Sequence, residues 1–267
     1  MVRKLWIPFF FALFLLSSCR TEFERIRTSN NPEQIYEKSM AYYEEGEYVK
    51  AQTLFELVLN SFRGSAKAEE LAFKYAYTHY HQASYLLAAH YFENFSNTYT
   101  SSDRREEADY MRAYSNYLLS PVFRLDQEYT EKAIDQFQLF INTYPNSERV
   151  ASCNEIIDES RAKLEQKRFE QGKLYFDLKN YNSAVTSFEN LLKDFPETGN
   201  AEEIRFLILK SAFLLAENSF YELQAERYEQ ALEKYEDFRK KFPSSQYRSE
   251  ARDMLNQSRA KLKTFSS

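Results

Sequence analysis

Ala51-Gln52-Thr53-Leu54-Phe55-Glu56-Leu57-Val58 runs on to Arg63, and its spacing decides the fold: an alanine, an aromatic four residues on, an apolar residue three after that, and a turn position five further. The same offsets recur at Ala88, Phe92, Phe95 and Thr100, and at Ala133, Phe137, Phe140 and Pro145. Ala184, Phe188, Leu191 and Pro196 repeat them, as do Ala231, Tyr235, Phe238 and Pro243. Steps of four and three put the apolar residues on one face of a helix, and the turn position ends that helix. A unit of this kind cannot bury its apolar face alone and must stack on its neighbours. The repetition therefore predicts an all-α array of stacked helical hairpins, a scaffold that binds other proteins and seldom does chemistry.

Bulk composition agrees. Of 267 residues, 43% are hydrophobic and 28% charged, which suits a folded soluble chain with a sizeable core and argues against disorder. Only 4 Gly and 6 Pro stand beside 21 Tyr and 23 Phe, a balance poor in turns and rich in rings that wedge between helices. The net charge is −5, and without Arg3 and Lys4 it falls to −7, with 33 basic against 40 acidic residues. Such a surface repels a phosphate backbone, so nucleic acid is not an expected partner.

Arg3 and Lys4 precede an unbroken apolar stretch from Leu5 to Leu16, followed by Ser17, Ser18 and Cys19. This is the layout of a bacterial export signal over residues 1–18, and the stretch is short of the ~20 residues a membrane-spanning helix needs. Leu16-Ser17-Ser18-Cys19 resembles the bacterial lipobox, whose cysteine is acylated, with chains such as palmitate, and becomes the first residue of the mature protein. Each buried methylene of an acyl chain contributes ~0.8 kcal/mol, so chains on Cys19 would anchor the molecule to a membrane without spanning it. In the resembling class an aspartate after the cysteine favours the inner membrane. Arg20 stands here, and Arg20 to Arg25 is too mixed in charge for a surface-export signal, so the expected place is the outer membrane, facing the periplasm. Once Cys19 is modified, Cys153 is the remaining thiol, which leaves no intramolecular disulfide and a small buried apolar role for Cys153.

Residues 19–31 read as a polar tether, with folding expected from about residue 32, where Asn31-Pro32 forms a helix start. Counting back from Ala51 lays the tetratricopeptide pattern on the chain: Tyr42, Gly46 and Tyr48 fall on its aromatic, turn glycine and second-helix aromatic. Gly172, Tyr175, Tyr181, Ala184 and Phe188 repeat it. The expected fold is an all-α tetratricopeptide-repeat superhelix of about five hairpins within residues 32–267, with units near 32–63, 66–100, 103–145, 147–196 and 199–243 and a C-terminal capping helix over 245–263. Successive alanines lie 37, 45, 51 and 47 residues apart, so the later units carry insertions or lengthened helices. Ser120-Pro121 to Asp126 interrupts the third hairpin, and the Pro-free run from Ser147 toward Leu178 suggests one long helix or two nearly collinear ones.

No catalytic constellation is visible. Glu69-Glu70, Glu106-Glu107 and Glu202-Glu203 fall in first turns, while Lys193 and Arg239-Lys240-Lys241 fall in last turns, where each complements a helix dipole. His79 and His81 are two apart on an expected helix and diverge; with His90 they offer no metal site. No nucleophile elbow, phosphate loop or dinucleotide loop occurs, so neither an enzymatic activity, nor a metal, nor a cofactor is expected. What remains is a surface. In a tetratricopeptide array the first helices line the concave face, which puts Tyr36, Met40 and Tyr43 of the first unit and Phe73, Tyr77 and Tyr80 of the second in a candidate client-binding groove. The alternative for these six is packing within the hairpins.

Further matches narrow the reading. They are Asn31-Pro32-Glu33-Gln34-Ile35-Tyr36, Ala108-Asp109-Tyr110-Met111-Arg112, Tyr144-Pro145-Asn146-Ser147, Asp194-Phe195-Pro196-Glu197-Thr198 and the interrupted third repeat. With the lipobox, they resemble the BamD family, tetratricopeptide lipoproteins of the outer-membrane β-barrel assembly machinery. The resemblance implies a non-catalytic subunit that docks on the POTRA domains of the barrel-forming BamA through its C-terminal repeats, residues 182–262, beside other subunits of the machinery. It also implies N-terminal repeats that meet unfolded outer-membrane proteins. Arg63 and Thr100 depart from the family's turn prolines, and Phe220 to Arg227 stretches the last repeat. Two other readings stay open: an adaptor for cell-wall enzymes, and a glycan-binding lipoprotein, which would need Trp platforms where this chain has Trp6 alone.

Overall fold

A computed structural model of the chain describes residues 21–265; the expected export signal over 1–18 and the expected acylation site at Cys19 lie outside the described residues. The described residues form twelve α-helices and no strand: α1 Glu22–Arg27, α2 Pro32–Glu44, α3 Tyr48–Val58, α4 Ala66–His81, α5 Tyr85–Thr98, α6 Arg105–Leu119, α7 Glu128–Thr143, α8 Val150–Asp177, α9 Tyr181–Asp194, α10 Ala201–Glu217, α11 Tyr221–Lys241 and α12 Arg248–Phe265. The chain is all-α and built of tetratricopeptide-type hairpins. Two compact units divide it: one takes the chain before Pro121 together with Glu128–Ile157, the other takes Pro121–Gln127 and everything from Asp158.

The repeated signature is the core. Ala51, Phe55 and Val58 are at most 1% exposed, as are Ala88, Phe92 and Phe95. Ala133, Phe137 and Phe140 are at most 2% exposed, and Ala184, Phe188 and Leu191 are wholly buried. Ala231, Tyr235 and Phe238 complete the set, with Tyr235 the most open at 8%. Each alanine lets its helix cross the first helix of the hairpin closely, and the rings after it fill the space between that hairpin and the next. In the fourth hairpin the partner across the crossing is Gly172: a Cβ there would lie 2.5 Å from the Phe188 ring. The glycine is required by that close approach.

Local signals set the helix ends. Asn31 caps α2 through its side-chain oxygen, which accepts from the backbone N–H of Glu33 and Gln34 at 3.1 and 3.2 Å, with Pro32 in the first turn. Between α2 and α3 the backbone N–H of Gly46 donates to the Tyr43 carbonyl and that of Glu47 to the Tyr42 carbonyl, a Schellman closure with Gly46 at φ +77°. The turn from α4 to α5 repeats it at Ala83, φ +56°, and the turn from α8 to α9 at Lys179, φ +58°. The interruption after α6 is fastened by Gln127, whose amide donates to the carbonyls of Val122 and Leu125 at 3.0 Å each, and by Lys167, which donates to the Leu125 carbonyl.

Two findings go beyond the sequence reading. The segment expected to be a plain tether carries α1, capped by Thr21, with Ile26 4% exposed and the Phe23 ring edge-on to Tyr42 at 6.0 Å. Folding thus begins about ten residues earlier than 32; Phe23 and Ile26, three apart, give a six-residue helix one apolar edge that its polar composition hides. Acids of the first helices also join neighbouring repeats. Ser102 donates to Glu69 at 2.6 Å and Ser147 to Glu106 at 2.6 Å, both within the first unit. Thr198 donates to Glu165 at 2.5 Å, and the Gln246 backbone N–H to Glu202 at 3.2 Å, both within the second. Glu69, Glu106 and Glu202 tie the start of one first helix to the turn that opens the next, and Glu165 does so from the middle of α8.

Candidate protein-binding groove

The six residues picked from the sequence lie on α2 and α4; ring contacts join Tyr43, Phe73, Tyr77 and Tyr80 into an aromatic seam through His81, while Tyr36 packs on Phe62 and Met40 on the first core cluster. Tyr36 is the most buried, 9% exposed; its ring tilts on Phe62 at 5.2 Å and its hydroxyl donates to Glu70 at 3.1 Å. Burial, with Glu70 adding to it, pushes the phenol up to about 12, so it stays protonated as the donor. Met40 is half-buried against the first core cluster. Tyr43 meets Tyr48 at 5.6 Å and His81 at 6.3 Å, and burial raises its phenol as well.

His81 carries the seam from α2 to α4. It stacks on Tyr48 at 4.1 Å and on Tyr77 at 5.8 Å. Tyr77 in turn meets Phe73 at 5.1 Å, Phe92 at 5.0 Å and Tyr80 at 6.2 Å, and its hydroxyl donates to Glu107. Phe73 and Tyr77 thus reach down to the core cluster beneath them while remaining partly open. All six pack the hairpins, Tyr36 as a buried ring and the other five with part of the side chain open.

The seam does not stop at the sixth residue. Tyr80 lies 6.4 Å from Tyr114, which stacks on Tyr110 at 5.8 Å with an 11° interplanar angle and meets Tyr117 at 5.9 Å. Tyr110, Tyr114 and Tyr117 of α6 were missed in the sequence, although the signal was present: 36, 40 and 43 recur 37 residues later as 73, 77 and 80, and 37 later again as 110, 114 and 117. Counting back from Ala133 across the interrupted hairpin hid that register.

Cations lie over the equivalent rings. Lys67 Nζ sits 4.8 Å from the Tyr36 ring centre, the Arg104 guanidinium 5.5 Å from Phe73, and the Arg149 guanidinium 4.4 Å from Tyr110. Lys74 covers Tyr43 at 4.8 Å and pairs with Glu44, while Lys67 pairs with Glu33. Each contact contributes about 0.5–1 kcal/mol at a wet site and holds its ring in one orientation. The result is a pre-ordered strip of half-buried rings edged by paired charges, suited to apolar side chains of an extended peptide because little entropy is lost on binding.

Reactive groups are placed otherwise. Cys153 is fully buried and its thiol is pushed up to about 11 by that burial, which keeps it protonated and inert. His79 is 3% exposed between Tyr75 and Tyr91, and burial lowers its pKa. Among the described residues no three His, Cys, Asp or Glu side chains converge as metal ligands, and no helix is long and apolar enough to cross a membrane.

This is the architecture of a tetratricopeptide-repeat protein. A family profile described as outer membrane lipoprotein, YfiO, matches residues 28–218, more than two thirds of the chain, and a tetratricopeptide-repeat profile matches residues 210–245. The chain belongs to the YfiO family of outer membrane lipoproteins. No curated protein matches it. Solved structures similar to it include a thermophilic tetratricopeptide protein, TTC0263, of Thermus thermophilus, at 16% identity, covering 85% of this chain and 98% of that one, with a TM-score of 0.33. Another is the TPR2AB domain of yeast Sti1, solved with pHSP90, at 12% identity, 85% and 98% coverage and a TM-score of 0.38.

Proposed function

We propose that this lipoprotein is a non-catalytic scaffold of the outer-membrane β-barrel assembly machinery, held at the periplasmic face of the outer membrane by acyl chains on Cys19. Its C-terminal repeats dock on the POTRA domains of BamA, and the seam on α2, α4 and α6 receives unfolded outer-membrane proteins. Family membership supports the setting, and one observation supports the recruiting role: nine side chains at a strict 37-residue period, eight of them aromatic, occupy equivalent places on three successive first helices. The outer two places stay aromatic on the first helices of the fourth and fifth hairpins, Phe169 and Phe176 on α8 and Phe206 and Phe213 on α10, where they pack the core; the middle place turns to Lys173 and Lys210, so the rings that set the strip apart are Tyr77 and Tyr114.

The mechanism needs no bond to be made or broken. A client strand lying on the seam is kept near the insertase, and tethering raises its local concentration toward the millimolar range typical of short linkers. Confinement to the membrane plane through Cys19 adds to the same effect. Affinity purification of the tagged, lipidated protein from detergent-solubilised membranes tests the setting. BamA is the expected dominant companion, and recovery of peptidoglycan enzymes in its place would overturn the assignment.

A further inference from the structure

Consecutive hairpins leave a groove between them, and the second helix of the later hairpin closes it. Between α9, α10 and α11 that groove has a volume of 300 Å³. Its wall from α10 carries Arg205, and α11 brings Asp237 to it at 2.8 Å; Lys234 of α11 pairs with Glu189 of α9 at 2.7 Å. The second helix therefore closes the space and also neutralises the charge left on the first.

One repeat further on, the described residues supply two walls, α11 and α12, and the groove opens to 930 Å³. α12 has the register of a first helix. Ala251, Leu255 and Ser258, all buried, stand 47 residues after the buried Ile204, Ile208 and Ser211 of α10. Ser258 and Ser211 each donate to the carbonyl four residues back, at 2.8 and 2.7 Å. By this register Arg252 stands where Arg205 stands, but no described helix brings it an acid.

The charge is unbalanced in the same place. Arg248, Arg252 and Arg259 line the groove on one face of α12, are exposed, and make no side-chain hydrogen bond or ion pair among the described residues. The two carboxylates that line it are already paired: Glu236 with Arg239, also of the lining, at 2.7 Å, and Asp237 with Arg205 at 2.8 Å and with Lys241 at 3.2 Å. Below the cations lies an apolar floor of Phe238, Phe242 and Leu255. In a chain of net charge −5, three unpaired arginines over an aromatic floor mark a surface complementary to an acidic, amphipathic partner.

We propose that the α11–α12 groove receives an α-helix of a partner protein, whose apolar face covers Phe242 and Leu255 and whose carboxylates, seven residues apart, meet Arg252 and Arg259. The helix acts as the second helix of a sixth hairpin, as α11 does for α10. This goes beyond the assembly role and holds whether or not the helix comes from a subunit of that machinery.

A photo-crosslinking residue in place of Asn256, which lines the groove, tests this in the full-length lipidated protein in its own cells, with Glu229 on α11 as the control position outside it. The adduct should map by mass spectrometry to one helical segment with carboxylates on a single face. Arg252→Glu with Arg259→Glu should cut the adduct about tenfold without changing the melting curve, and Lys at the mapped carboxylates should restore it. Adducts no stronger than at Glu229 would overturn the proposal. So would adducts to lipid, to a second copy, to this chain itself or to a segment without carboxylates, or a signal indifferent to both charge reversals.

Discussion

Single residues decide how the hairpins turn. Gly46, Ala83 and Lys179 occupy the same left-handed position in three turns closed by the same pair of backbone hydrogen bonds, yet only the first is glycine. An L side chain at positive φ costs roughly 1–2 kcal/mol, part of which glycine gives back through its freer unfolded chain. Lys179→Gly should therefore raise stability by about 0.5–1 kcal/mol, read as a higher urea midpoint with an unchanged slope. A lower midpoint would mean that the Lys179 side chain makes a stabilising contact that outweighs its strained backbone. The sequence showed Gly46 as a turn because glycine announces itself; the other two turns were legible only through the signature that follows them.

At the scale of elements, most of the fold could be read from the chain, because every second helix repeats the alanine and the rings that its crossing demands. The long α8 was legible too, from a run without proline. What escaped were elements and contacts carrying no periodic signal. α1 has a polar composition and just Phe23 and Ile26 on its apolar edge, and the serine and threonine clasps onto Glu69, Glu106 and Glu165 join residues 33 to 41 apart. The α8–α9 crossing offers a direct check on the packing account. Gly172→Val places side-chain atoms inside the Phe188 ring, which is wholly buried and has nowhere to go, so overpacking should cost about 1–3 kcal/mol. Thermal unfolding of that variant should show the loss as a lower Tm with α-helical content retained. An unchanged Tm would mean that the two helices do not cross this closely.

The whole molecule combines two kinds of surface on one repeated frame. Repetition explains both: the 37-residue period lays a strip of rings across three first helices, and the register that continues into α12 leaves arginines waiting for acids. Two thirds of the strip was visible in the sequence, since the register of the first two units follows from Ala51 and Ala88. The third stretch was obscured by the interruption at Ser120 to Asp126, which separates Tyr110, Tyr114 and Tyr117 from the alanine that would have placed them. The central claim is that this strip holds unfolded outer-membrane proteins on the way to insertion. A photo-crosslinking residue at Tyr80, followed during a pulse of newly exported protein, measures it most directly. Adducts to unfolded outer-membrane proteins should form, fall about tenfold in Tyr77→Ala with Tyr114→Ala, and persist in Tyr114→Phe, while BamA co-purifies at the same level throughout. Adducts indifferent to the loss of both rings, or lost only together with BamA, would contradict it.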